Sequence, residues 1–330
     1  MSSAQQPQSI PTLGPVHPDF VDKLVPEYVA FHNEHLTSLP ALPELPWDPR
    51  FRSFPAPPGN TPPQQVGSIK DISLSRFKIR VFTPDGPAPT NGWPALLFFH
   101  GGGWTLGNIN TENSLCTILC NRARGVVVSV DYRLAPENPY PAAVEDSIEA
   151  LRWLYEKGRD EIDVDSSRLA VGGSSSGGNL AAIAALKAAE MQPPIPLIFQ
   201  MLIVPVTDNT ASEDGTPHAS WAENANTAWL NIARMMWFRR NYLPNPADWT
   251  RWDSSPIFAP DNLIQKVPTA WIACMECDIL RDEAIAYADK LRAAGVKAHV
   301  EVYKGAPHQL MVLDGLAIYH TYSQSITGTG

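Results

Sequence analysis

The chain reads as an α/β protein built on a mostly parallel sheet, and three features of the sequence predict this. Strand-like and helix-like patterns alternate along the chain, several strand runs are continuously apolar, and the alternation resumes after the one long stretch where it fails.

The elements follow in order. Phe20, Leu24, Tyr28 and Phe31 recur at helical spacing and Pro26 suits the first position of a second short helix, so the N-terminal stretch covers something apolar. Nine of the 32 prolines fall between Pro40 and Pro63, a density that excludes helix and central strand and predicts extended coil over the surface. The alternating "RFKIRVF" and the apolar runs "PALLFFH", "GVVVSVDY", "RLAVGG" and "PLIFQMLIVP" are the next strands. Continuous Val, Ile, Leu and Phe indicate burial on both faces of the sheet. Helical patterns lie between them at 111–124, 141–157 and 177–191. In the second, Val144, Ile148, Leu151 and Tyr155 share a face, Pro141 suits the start and Gly158 the end.

Between Val206 and about Leu263 the alternation fails, and five of the ten tryptophans gather there: Trp221, Trp229, Trp237, Trp249 and Trp252. This is read as an insertion. Beyond it come the strand "PTAWIACME", a helix from Arg281 that Gly295 can end, the strand "KAHVEVY" and a last helix after Pro307. There is no internal repeat. The expected organisation is an N-terminal segment, 1–63, with short helices and proline-rich coil, then one domain over 64–330 carrying a helical cap inserted at about 206–263.

Composition bounds the partners. The net charge of −9 has no basic block behind it, which argues against nucleic-acid or anionic-membrane surfaces and favours a small neutral substrate. The first thirty residues lack a basic start followed by an apolar run, and no later run reaches spanning length, so a soluble cytoplasmic protein is expected. Cys116 with Cys120 and Cys274 with Cys277 are spaced for a metal site or disulfides, but no histidine stands at finger spacing; buried reduced thiols are the expectation, with no metal.

The chemistry begins at "VGGSSSGGNLA", residues 171–181, where a strand turns sharply into a small-residue helix. Only Ser175 is centred in G-x-S-x-G, between Gly173 and Gly177, the pattern of a nucleophile elbow. Glycines are needed there because the turn brings backbone segments together and holds the serine in strained φ/ψ. The competing readings, a phosphate-binding turn and a plain Gly/Ser loop, are weakened by the absence of Walker A and G-x-G-x-x-G patterns.

A second motif, "LLFFHGGGWTLG", ends a buried strand in His100 and three glycines, the loop type that supplies backbone N–H donors to an oxyanion. The amide of Ser176 would add a further donor, and His100 is assigned to holding the loop. In the chain order serine, acid, histidine, Asp278 and His308 lie just past two late strands. Asp278 competes with Glu276 and Asp282 and with a plain helix-capping role. His17, His32, His35 and His218 lie in the N-terminal or inserted segments, His299 within a strand and His320 in the last helix, which leaves His308 in a post-strand loop.

With these residues identified, the chain resembles the hormone-sensitive-lipase-like family of α/β-hydrolases from about residue 70 to 315. "HGGGW", the elbow, "VDYRLAPENPYPAAVEDSIEALRWL", "SPIFAPDNL" and "DILRDEAIAYADKLRAAGV" carry the resemblance. It implies an eight-stranded, mostly parallel sheet with a helical cap, no cofactor, and hydrolysis of carboxylic esters of short to medium acyl chain. It also implies a triad of Ser175, Asp278 and His308 with Gly102, Gly103 and the Ser176 amide as oxyanion hole. Two departures stand at the elbow: Ser174 replaces the family's usual aspartate and Ser176 its alanine.

Trp104, with Trp221 and Trp229 of the insertion, are the candidates for substrate contact, against a competing role in core packing. The same machinery would serve lactone opening, amide cleavage or acyl transfer. A non-catalytic receptor on this fold is the rival of another class, and the presence of His308 argues against it. A homodimer is left open.

Overall fold

The computed structural model describes residues 10–54, 59–310 and 313–317. Its core is one eight-stranded sheet: β1 (Ser68–Ser73), β2 (Lys78–Thr83), β3 (Trp93–Phe99), β4 (Val126–Asp131), β5 (Val164–Ser174), β6 (Phe199–Ile203), β7 (Thr269–Cys277) and β8 (Ala298–Pro307). The strand order is β1-β2-β4-β3-β5-β6-β7-β8, antiparallel where β2 meets β1 and β4 and parallel elsewhere. The apolar runs take the central places. β1, "SIKDIS", is the edge strand that no pattern announced, because its residues are nearly all exposed and backbone hydrogen bonds to β2 hold it.

Side chains alternate across the pleat and build a core on each face. Leu97, Val128 and Val171 face one layer, packed by α4 (Ala142–Ile162), α5 (Ser176–Glu190) and α9 (Arg281–Ala293). Phe98, Val127 and Ile203 face the other, with α3 (Asn113–Ala123) and the N-terminal α1 (Pro18–Val21) and α2 (Pro26–His35). Helix α5 is buried on all sides, and its alanines let it lie close to the sheet.

Two boundaries differ from expectation. Gly158 does not end α4; the helix runs one turn further to Ile162, and Asp163 adopts the left-handed cap conformation, φ 54°, with its amide bonded to the Gly158 carbonyl. In the proline-rich segment the coil is interrupted by 3-10 turns at Leu42–Glu44 and Pro49–Ser53, each with proline at its start.

Between β6 and β7 the described chain holds α6 (Ser220–Glu223), α7 (Ile232–Tyr242), α8 (Asp261–Ile264) and short turns, with no strand. The helix expected after Pro307, His320 included, falls largely outside the described residues. Among the described residues no helix is long and apolar enough to cross a membrane. The four cysteines are free and buried.

Candidate active site

The β5–α5 turn is built as the glycines require. A Cβ on Gly177 would come within 2.0 Å of the Phe99 carbonyl oxygen, and one on Gly173 within 2.4 Å of the Gly177 carbonyl oxygen. Ser175 between them sits at φ 54°, ψ −118°, its amide bonded to the Ile203 carbonyl at 2.8 Å. That strained backbone lifts its hydroxyl out of the turn.

His308, just past β8, comes to it from three strands along the sheet, at the same strand ends. Its Nε2 lies 2.9 Å from Ser175 Oγ and its Nδ1 2.7 Å from Asp278 Oδ2. With Nδ1–H donating to the carboxylate, Nε2 is left as the acceptor for the serine proton. Asp278 is 1% exposed, and its Oδ1 accepts from the Leu280 amide at 3.0 Å, so one oxygen caps the turn into α9 while the other faces the imidazole. The rival carboxylates are engaged elsewhere: Glu276 with Lys304 and the Gly305 amide, Asp282 with Arg281 and the Ser220 amide.

The glycine loop after β3 lies beside this row. Gly102 and Gly103 have φ 119° and 59°, and among the described residues neither amide donates a hydrogen bond. A Cβ on Gly103 would meet the Phe238 ring at 2.2 Å. The Ser176 amide belongs to the first turn of α5, whose N–H groups lack i−4 partners. His100 is buried, stacked 4.4 Å from Tyr132, and its Nδ1 bonds the Gly101 carbonyl at 2.7 Å. Burial holds its pKa below the usual histidine range, so it braces the loop as a neutral ring.

Ser175, His308, Gly102, Gly103 and Trp229 share the wall of one cavity of about 420 Å³. Of the tryptophans expected at the substrate, Trp229 alone lines it. Trp104 is fully buried, its backbone at φ 54° turning the ring into the core against Tyr242, 4.3 Å away. Trp221 is likewise fully buried, its Nε1 donating to Glu283 at 3.0 Å. Both corrections have one cause: a tryptophan satisfies a core as well as a pocket.

Sequence reasoning missed Glu112. Its Oε1 accepts from Ser174 Oγ at 2.5 Å and from the Gly101 amide at 2.8 Å, while Oε2 is buried without a partner among the described residues. Burial raises its pKa. A carboxylate thus stands behind the glycine loop although position 174 does not supply it. Gln309 and Arg234 on the cavity wall were also missed. Among the described residues no group of three His, Cys, Asp or Glu side chains is gathered to hold a metal.

A strained serine, an imidazole and a carboxylate in a hydrogen-bonded row, on the strand ends of a sheet of this order, define a serine hydrolase. The sequence pattern of the family described as having the alpha/beta hydrolase fold matches residues 96–312. The chain is 44% identical over 317 residues to an AB hydrolase superfamily protein of Schizosaccharomyces pombe, covering 92% of each. It is 36% identical to the carboxylesterase NlhH of Mycobacterium tuberculosis over 76% of this chain and 77% of that one. A crystal structure of an alpha/beta hydrolase enzyme from the metagenome of Lake Arreo, Spain, superposes with TM-score 0.80 at 32% identity, covering 93% of this chain and 97% of that one. The chain belongs to the hormone-sensitive-lipase-like family of α/β-hydrolases, and its enzyme class is that of the carboxylester hydrolases.

Proposed function

We propose that the chain cleaves carboxylic esters of short to medium acyl chain through an acyl-enzyme on Ser175. The unbroken row from Asp278 through His308 to Ser175 carries the reading. Ser175 Oγ attacks the ester carbonyl carbon as His308 Nε2 takes its proton; Asp278 holds the ring and balances the imidazolium. The tetrahedral oxyanion is held by the amides of Gly102, Gly103 and Ser176. On collapse the C–O bond to the alcohol breaks and His308 returns the proton to the leaving oxygen. Water, deprotonated by His308, then attacks the acyl-enzyme, releasing the acid and restoring the serine.

In this reading the N-terminal segment 1–63 and the insertion at 206–263 form a cap over the domain at 64–330. Leu42 and Phe51 of the first, and Trp229 and Phe238 of the second, line the cavity and support that role. Trp229 contacts the substrate. The enzyme works in the cytoplasm on a small ester, with no cofactor and no nucleic-acid partner; sedimentation would decide between monomer and homodimer.

The test is intact mass after incubation with a small fluorophosphonate. A single adduct on wild type and none on Ser175→Ala is expected, and kcat of Ser175→Ala or His308→Ala should fall by around 10⁶. An unlabelled wild type would return the chain to the receptor reading.

A further inference from the structure

Arg234, on α7, is only 9% exposed, yet it lines the same cavity as Ser175 and His308. Among the described residues no carboxylate pairs with it. Among the described residues the one side-chain hydrogen bond runs from Nη1 to the Trp229 carbonyl at 3.3 Å, and the phenol of Tyr28 acts on its charge. Among the described residues Nε and Nη2 find no partner, and the residue lines the cavity. Burial draws the pKa down to about 10, so the group is still a cation at neutral pH. By contrast Arg52, also on the cavity wall, is satisfied by the carbonyls of Thr105 and Ala135 and by Glu137.

The guanidinium is also held in place. Its Cζ lies 4.0 Å from the centre of the Trp229 ring and 5.8 Å from that of Phe238. Trp229 adopts φ 70°, a strained conformation for a large side chain. Phe238 lies against Gly103 of the oxyanion loop, and Tyr28 accepts a 2.7 Å hydrogen bond from Gln309, the residue after His308. Arg234 therefore shares the cavity wall with Ser175, His308 and Gly103, and its ring neighbour Phe238 reaches the oxyanion loop.

A buried cation without a counter-ion is strongly unfavourable, and a carboxylate accepting two parallel N–H bonds is the partner that a guanidinium fork fits best. We propose that Arg234 forms an anion subsite of the active site, and that the preferred substrate is an ester bearing a carboxylate a short chain away from the scissile carbonyl. This rests on the esterase reading above, and it reverses the expectation of a neutral substrate drawn from the net charge of −9. That negative charge acts from a distance and is screened over about 8–10 Å in physiological salt, whereas Arg234 is inside the cavity.

The experiment compares kcat/KM for matched pairs on wild type, Arg234→Gln and Arg234→Lys. One pair is 4-nitrophenyl hemiglutarate and 4-nitrophenyl valerate; the other is acetoxyacetate and isobutyl acetate. In at least one pair wild type should favour the anion by tenfold or more. That ratio should fall at least tenfold in Arg234→Gln, mainly through KM, with partial recovery in Arg234→Lys. A wild-type ratio of one or less in both pairs, or a ratio unchanged by Arg234→Gln, overturns the subsite. Should the variants fail to fold, wild type alone decides: glutarate must inhibit hydrolysis of the neutral ester at least tenfold more tightly than glutaramide. If wild type neither hydrolyses any ester nor takes the fluorophosphonate, the esterase reading falls. Calorimetric titration of glutarate into the protein then tests the anion subsite by itself, and the absence of binding overturns it.

Discussion

Replacing Ser174 with aspartate would restore the residue usual in this family and place a second carboxylate against Glu112. Ser174 Oγ donates to Glu112 Oε1 at 2.5 Å, in a site where both residues are buried, and Oε1 already accepts the Gly101 amide. Two carboxylates about 4 Å apart repel by roughly 4 kcal/mol at an effective dielectric near 20. The alternative, keeping an aspartic acid of ordinary pKa near 3.9 protonated at pH 7, costs about the same. Glu112 is already displaced upward by burial, which lowers the price of protonating it, so Ser174→Asp should lose about 2–4 kcal/mol. Glu112→Gln in the same chain removes one charge and offers an amide N–H to the new carboxylate. The double variant should therefore lie within about 1 kcal/mol of wild type, a coupling of about 2–3 kcal/mol. Urea unfolding followed by tryptophan fluorescence at pH 7 measures the cycle, and the Ser174→Asp loss should shrink at pH 5, where a proton is easier to retain. Strictly additive losses would refute the reasoning and mean that Glu112 does not occupy the electrostatic place of the missing aspartate.

Two further substitutions test the site and its support. Gly103→Ala puts a methyl 2.2 Å from the Phe238 ring at φ 59°, so the loop must shift and one oxyanion donor with it; kcat should fall by about 10²–10³ with a smaller change in KM. A kcat within threefold of wild type would remove the Gly103 amide from the oxyanion site. Glu283 is fully buried, and burial raises its pKa from 4.5 to about 7. The folded chain therefore keeps a proton that the unfolded chain releases: this stabilisation is complete below about pH 4.5 and is lost, to the extent of about 3 kcal/mol, as pH rises to about 7. Glu283→Gln should flatten the fall in urea-unfolding stability between pH 5 and 7, and an unchanged slope would exclude Glu283 as its source.

What the sequence made legible was local or ordered along the chain. Central strands such as β4 were legible because burial on both faces leaves a run that is apolar but for Ser129 up to its closing aspartate, while β1 was not, because it contributes a backbone edge and almost no buried side chain. The elbow was legible because steric conflict within five residues dictates its glycines, and Asp278 and His308 followed from their places after strands. The end of α4 was misplaced because a glycine inside a helix costs only about 1 kcal/mol, less than the packing that carries the helix on to Ile162.

The residues that remained hidden share a different property. Glu112 meets Ser174 across 62 positions of chain, and a carboxylate two residues after "NIN" carries no mark that it will be buried behind the glycine loop. Trp104, Trp221 and Trp229 are alike in a one-dimensional reading, yet only the third reaches the cavity; burial and lining differ by which way a ring turns, and the packing around each ring sets that in three dimensions. Arg234 is the extreme case, since its meaning lies in a partner that is missing. Nothing in "IARMMWFRRNY" marks its first arginine apart from the two that follow, and only the fold brings it against Trp229 and Phe238 with no carboxylate to meet it among the described residues. Catalytic groups in this chain are therefore announced by what surrounds them in sequence. The groups that choose the substrate are announced by what fails to surround them in space, and so a substrate pair differing by one charge probes what no motif in this chain encodes.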